Sequence, residues 1–183
     1  MTPHPLILLD LAVIAALPVA FFRRGRLNAR WWFTAAPFLI VAVALLADLA
    51  SPWRRLALPA ILQPASIGVA GLALALMAAT LAAHARPISL WHQDDDEPRE
   101  IVVRGPYARI RHPFYASFLL VLLAALLALP HVITLATLAW GGIALTLTAM
   151  REERRLLASP LSDEYRRLVV RTGRFCPRLR GPS

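Results

Sequence analysis

The chain has 183 residues, 58% of them hydrophobic, and a mean hydropathy of +0.57, a balance that excludes an ordinary soluble domain and points to an integral membrane protein. Its 20 basic residues are all arginine and outnumber 11 acidic ones, for a net charge of +9. These arginines gather at the ends of apolar segments, which argues for a membrane face and against nucleic acid as the partner. Cys176 is the single cysteine, so no intrachain disulfide can form and zinc cages built on several thiolates are excluded.

Residues 5–22 form the first apolar run, long enough to cross a bilayer core and preceded by no basic region of the kind a cleaved signal peptide carries. It reads as a retained first span. Residues 31–50 make the second, opened by Trp31 and Trp32, and residues 64–83 the third, whose alanines and glycines would permit close helix packing. Asp10 and Asp48 lie within the first two, where snorkelling or interhelical hydrogen bonding would accommodate them. A polar stretch follows from His84 to Arg111 and includes the acidic run of residues 94–97, which reads as a solvated loop because it lacks the alternating ligand spacing of a calcium site. Residues 114–129 and 132–149 are two further apolar segments joined only by Pro130 and His131, so they must form an antiparallel helical hairpin.

With five spans and an outer N-terminus, 18 arginines fall on the cytoplasmic side and only Arg54 and Arg55 on the other. The same arrangement puts two polar blocks on the cytoplasmic face. One is the cassette of residues 105–115, where Pro106 sets a turn and Pro113 opens the fourth span. The other is Glu152 and Glu153, which follow the fifth span where a simple topogenic end would need only arginine. The hairpin returns its second arm to the start of its first, so His112, Tyr115, Glu152 and Glu153 can converge.

The blocks Arg99 to Tyr107, Arg111-His112-Pro113-Phe114-Tyr115, and Glu152-Glu153 with Leu156, Tyr165 and Pro177 occur in this order around the hairpin. Together they resemble the isoprenylcysteine carboxyl methyltransferase family, within the wider group that includes phospholipid methyltransferases. The resemblance covers about residues 84–180. It implies a membrane enzyme that binds S-adenosylmethionine from the cytoplasm and methylates a lipophilic acceptor reaching it from the bilayer. Carried over by position, the cofactor contacts are Arg99, Glu100, Ile101, Val102, Tyr107, His112, Pro113, Phe114, Tyr115 and Glu152. An upstream glutamine of the family falls at His92, with Gln93 one residue away.

The chain departs from the family pattern in places. Ser159 to Ser162 replaces a Phe-Gly pair, Leu168 stands for a second tyrosine of the tail, and Thr148 occupies the position of an arginine that meets the acceptor's carboxylate. Arg151 is the nearest guanidinium, and with His112 and Glu153 it completes the candidate catalytic set. His112 is open to two readings, a base for an amine or hydroxyl acceptor or a structural hydrogen bond at the helix start.

The expected architecture is an all-α integral membrane protein of the bacterial inner membrane, with five membrane helices. Residues 1–83 hold three of these, and residues 84–183 hold a catalytic region with a cytoplasmic cofactor pocket beside the hairpin and an amphipathic C-terminal helix. Membrane lipids and a lipophilic acceptor are the expected partners, no metal is expected, and oligomeric state is left open. Two rival readings are a sterol-reductase type enzyme using a reduced nicotinamide dinucleotide, and a non-catalytic membrane scaffold.

Overall fold

The computed structural model describes residues 3–21, 29–53, 56, 62–83 and 100–178. Six α-helices make up the described structure: α1 His4–Phe21, α2 Ala29–Ala50, α3 Leu62–Ala82, α4 Pro113–Ala128, α5 Val132–Leu157 and α6 Ser162–Arg171. Three helices contain stretches long and apolar enough to cross a membrane, namely Trp32–Ala50, Pro64–Ala82 and Val132–Leu157. Shorter apolar stretches occupy His4–Leu17 and Pro113–Ala128. The helices carry large apolar residues on their outer faces, among them Val43 (66% exposed) and Ile143 (60% exposed), a surface suited to lipid and costly in water.

The core lies where α1 to α5 meet. Val41 and Leu45 of α2, Ala70 and Ala73 of α3, and Val121, Leu122 and Ala125 of α4 are buried there. Small residues set the helix separations, and in the third span these are its alanines and not its glycines. Gly68 and Gly71 face open space, while Gly141 of α5 is where a side chain would run into Leu122. Ala70, Ala73 and Ala124 do the close packing, each fully buried.

At one end of the bundle the two ends of long connections are tied together. His4 Nε2 lies 3.1 Å from Asp48 Oδ2, the Trp53 amide donates to Asp48 Oδ1 at 2.8 Å, and the Trp53 and His131 rings meet edge to face at 4.9 Å. The Leu56 amide donates to the Pro130 carbonyl at 2.6 Å. The start of α1, the end of α2 and the α4–α5 turn therefore share one end, and the end of α3, the start of α4 and the end of α5 share the other. His131 opens α5 as a reciprocal cap: its Nδ1 accepts the Ile133 amide while Thr134 Oγ1 accepts the His131 amide, both at 3.2 Å. The hairpin expected of residues 114–149 is present.

Two expectations change. Asp48 makes the interhelical bond foreseen, but Asp10 is fully buried with neither oxygen hydrogen-bonded among the described residues, so it does not snorkel. And α5 does not end with its apolar segment: it runs on to Leu157, because residues 150–157 are strong helix formers. Glu152 and Glu153 therefore project from a helix and not from a loop.

Candidate functional site

The cassette is anchored first to α3. Arg104 Nε donates to the Ala83 carbonyl at 2.7 Å, satisfying an end-of-helix acceptor. Gly105 then takes φ of 59°, a left-handed conformation that L side chains adopt rarely, and a Cβ there would also press on Ala83. Pro106 sits in the 3₁₀ turn Gly105–Ala108, whose carbonyl at Pro106 accepts the amides of Arg109 and Ile110 at 3.1 and 3.0 Å. Tyr107 is half-buried in this turn.

The cassette is anchored a second time by the tail that follows α6. Gly173 pairs with Ile110 in parallel register: its amide donates to the Arg109 carbonyl at 3.1 Å, and the Arg111 and His112 amides donate to the carbonyls of Gly173 and Arg174 at 2.9 and 3.0 Å. Only glycine fits at 173, since a Cβ would strike the Cys176 carbonyl. Tyr165 and Leu168 form the buried face of amphipathic α6, so the Leu168 that departs from the family pattern serves as a packing residue.

Between these anchors lies a compact charged cluster. His112 precedes α4 and Tyr115 lies in its first turn, the two rings stacked at 5.4 Å and nearly parallel. Glu152 and Glu153 are adjacent on α5 and so point about 100° apart around its axis. Glu152 Oε1 accepts the Tyr115 hydroxyl at 2.5 Å. Glu153 receives two guanidinium groups: Arg174 grips it with Nε at 3.1 Å and Nη2 at 2.7 Å, and Arg111 Nε donates to Oε1 at 3.0 Å. Arg111 also donates to the Thr172 carbonyl at 2.6 Å, which joins the ion cluster to the tail.

The His112 ring bridges the two acids, with Nδ1 3.4 Å from Glu152 and Nε2 3.3 Å from Glu153. Both separations are long, and the Nε2 approach is too poorly directed to count as a hydrogen bond. Carboxylates only accept, so a ring facing one on each side is favoured with both nitrogens protonated. Burial opposes that charge, but the paired glutamates overcome it and raise the His112 pKa above its ordinary 6.5. Tyr107 is pushed up too, by burial and by the negative charge of Glu152.

Of the residues singled out from sequence, the structure brings together Tyr107, His112, Tyr115, Glu152 and Glu153. Pro113 is buried at the first turn of α4 and Phe114 is half-buried beside it. Ile101 and Val102 are half-buried and Glu100 is exposed. Gln93 and Arg99, with the acidic run of residues 94–97, lie outside the described residues. Arg151 is exposed, on the face of α5 that carries Ile143 and Leu147, away from the cluster. Thr148 bonds back to the Ala144 carbonyl at 2.8 Å. No group of three or more metal-ligating side chains occurs among the described residues. The sequence reading missed Arg174, Phe175 and the role of Arg111. Phe175 meets the His112 ring at 6.2 Å, and the only local signal was Gly173 just before them.

Comparison of the chain with protein-family models, with curated proteins and with solved structures found no match.

Proposed function

We propose that this chain is an integral membrane methyltransferase that uses S-adenosylmethionine and acts on a lipophilic acceptor held in the bilayer. The observation that carries the reading is the convergence of Tyr107, His112, Tyr115, Glu152 and Glu153, from segments about forty residues apart, at one end of an apolar helical hairpin. These are the positions at which the chain resembles the isoprenylcysteine carboxyl methyltransferase family.

The side chains suit the cofactor chemically. Its sulfonium and ammonium are cations, and the cluster offers tyrosine faces and the Glu152 carboxylate. When bound it supplies an electrophilic methyl group, and the protein's part is alignment and exclusion of water. His112 serves as an ion-pair bridge that holds Glu152 and Glu153 in place, because both of its ring nitrogens face carboxylates. The cofactor's carboxylate needs a cation other than Arg104 or Arg111, both of which are engaged elsewhere. Arg109, exposed beside the cluster, and Arg99 are the candidates.

The same reading takes all five apolar helices, α1 to α5, as membrane-embedded, with α1 and α4 the shortest, an outer N-terminus and the cluster on the cytoplasmic side of a bacterial inner membrane. The alternating helix directions and the 18-to-2 distribution of arginines support this. Reporter fusions at Gly25 and at the C-terminus should both score cytoplasmic, and opposite locations would break the orientation.

Equilibrium binding to the purified full-length protein tests the activity. S-adenosylmethionine should bind and the reduced nicotinamide dinucleotide should not. Binding of the dinucleotide alone would favour the reductase reading, and binding of neither the scaffold.

A further inference from the structure

The hairpin arms differ in length, and the difference locates α6 relative to the bilayer. α4 has 16 residues and α5 has 26, so at 1.5 Å per residue α5 projects about 15 Å beyond the start of α4. α6 begins at that projecting end and returns, since Gly173 just past it pairs with the segment that leads into α4. The last turn of α6 is therefore brought back to the level at which α4 enters the apolar layer, and Leu147 of α5 stands near the same level.

On α5 the residues at 143, 147, 151 and 154 follow one another at intervals of four, four and three, which places them on one helix face. Ile143 is 60% and Leu147 41% exposed, and Arg151 and Arg154 are exposed as well. The buried residues Gly141 and Leu145 look the other way. The outward stripe thus changes from aliphatic to cationic within a single turn, at the depth where hydrocarbon gives way to headgroups. The returning end of α6 repeats the pattern: Val170 is 53% exposed, and Arg171 beside it is exposed. The acids of α6, Asp163 and Glu164, are at its opposite end.

We infer that Arg151, Arg154 and Arg171 form a headgroup-level belt that binds anionic phospholipids, with Ile143, Leu147 and Val170 seated against the acyl chains. The inference rests on the membrane placement proposed above and not on the methyl donor. Guanidinium forks match phosphate geometry, and aliphatic residues directly below them leave a lipid as the occupant that satisfies both halves of the stripe. A soluble acidic partner would have no use for the exposed Ile143 and Leu147. Lipid bound here would brace the projecting C-terminal end of α5, from which Glu152 and Glu153 extend, and so couple bilayer charge to the geometry of the cluster.

The test uses the full chain in detergent, titrated separately with phosphatidylglycerol and phosphatidylcholine of equal chain length, with retained lipid measured by native mass spectrometry. Phosphatidylglycerol should be preferred by roughly fivefold for each arginine engaged. In an Arg151→Gln, Arg154→Gln, Arg171→Gln variant whose helical circular dichroism is unchanged, the preference should disappear, and added salt should weaken it in the parent protein. Equal retention of the two lipids by the parent, or an undiminished preference in the variant, overturns the inference and leaves these arginines to an acidic protein partner. Because lipid retention is the readout, the outcome does not depend on whether S-adenosylmethionine binds.

Discussion

Arg174 grips Glu153 with two parallel hydrogen bonds, Nε to Oε1 at 3.1 Å and Nη2 to Oε2 at 2.7 Å, and so fastens the tail after α6 to the end of α5. Glu153 is the shared acceptor of Arg174 and Arg111, with His112 close by. Its loss and the loss of one of its partners should therefore differ in cost. Arg174→Ala leaves two cations on Glu153 and removes a group that is 35% exposed, so about 1 kcal/mol of stability should go. Glu153→Gln leaves partly buried cations unpaired and should cost about 3 kcal/mol or more. Thermal unfolding in detergent, arranged as a double-mutant cycle, measures both; equal costs would mean that the pairing is not the source.

The proposed cofactor contacts are tested at Glu152, whose Oε1 accepts the Tyr115 hydroxyl. Glu152→Gln and Tyr115→Phe should each weaken S-adenosylmethionine binding by about 1.5 to 3 kcal/mol, roughly tenfold to more than a hundredfold, while the protein stays folded. Titration calorimetry reads the change directly. Unchanged affinity in both variants would remove these residues from the site.

His112 makes stability depend on pH. Its folded pKa is raised above the ordinary 6.5 because Glu152 and Glu153 outweigh the effect of burial. A group whose pKa is higher in the folded state contributes stability in full below its unfolded pKa and loses it as pH rises through the folded value. The unfolding midpoint should therefore fall as pH is raised from about 6.5 through the raised folded value. His112→Gln should flatten that part of the profile, and an unaltered slope would assign it to another group.

The acceptor preference follows from Thr148 and Arg151. Thr148 is bonded within its own helix, and Arg151 is exposed on the face away from the cluster, so an acidic acceptor would have to shed water without gaining a cationic partner. A neutral or amine acceptor should be methylated in preference to a farnesylated cysteine analogue. Efficient methylation of that analogue, abolished by Arg151→Ala and retained in Thr148→Ala, would show that Arg151 swings inward to meet the carboxylate.

Asp10 is fully buried in α1 and neither of its oxygens has a hydrogen-bond partner among the described residues. Replacing it with leucine removes an unsatisfied polar group and should raise detergent stability by about 1 to 3 kcal/mol. A lower unfolding midpoint for Asp10→Leu, with Asp10→Asn tolerated, would show that the side chain has a hydrogen-bonding role in the folded protein.

Helix identity and approximate extent could be read locally, because a run of apolar residues long enough for a bilayer and a two-residue connection at Pro130-His131 leave few alternatives. That connection also made the meeting of His112 and Tyr115 with Glu152 and Glu153 foreseeable, since antiparallel arms must bring those positions together. The end of α5 lies beyond its apolar segment for an identifiable reason: apolar content reports where hydrocarbon ends, while helix propensity carries the backbone on to Leu157. Arg174 and Phe175 could not have been placed from sequence, because no periodicity marks the tail. Their positions depend on Gly173 pairing with Ile110 across more than sixty residues, a contact that exists only once α6 has folded back. The fate of the two buried aspartates was undecidable for the same reason. Asp48 finds His4 and Asp10 finds no such partner among the described residues, because a partner on another helix is chosen by rotation and depth in the bundle, which local sequence does not encode.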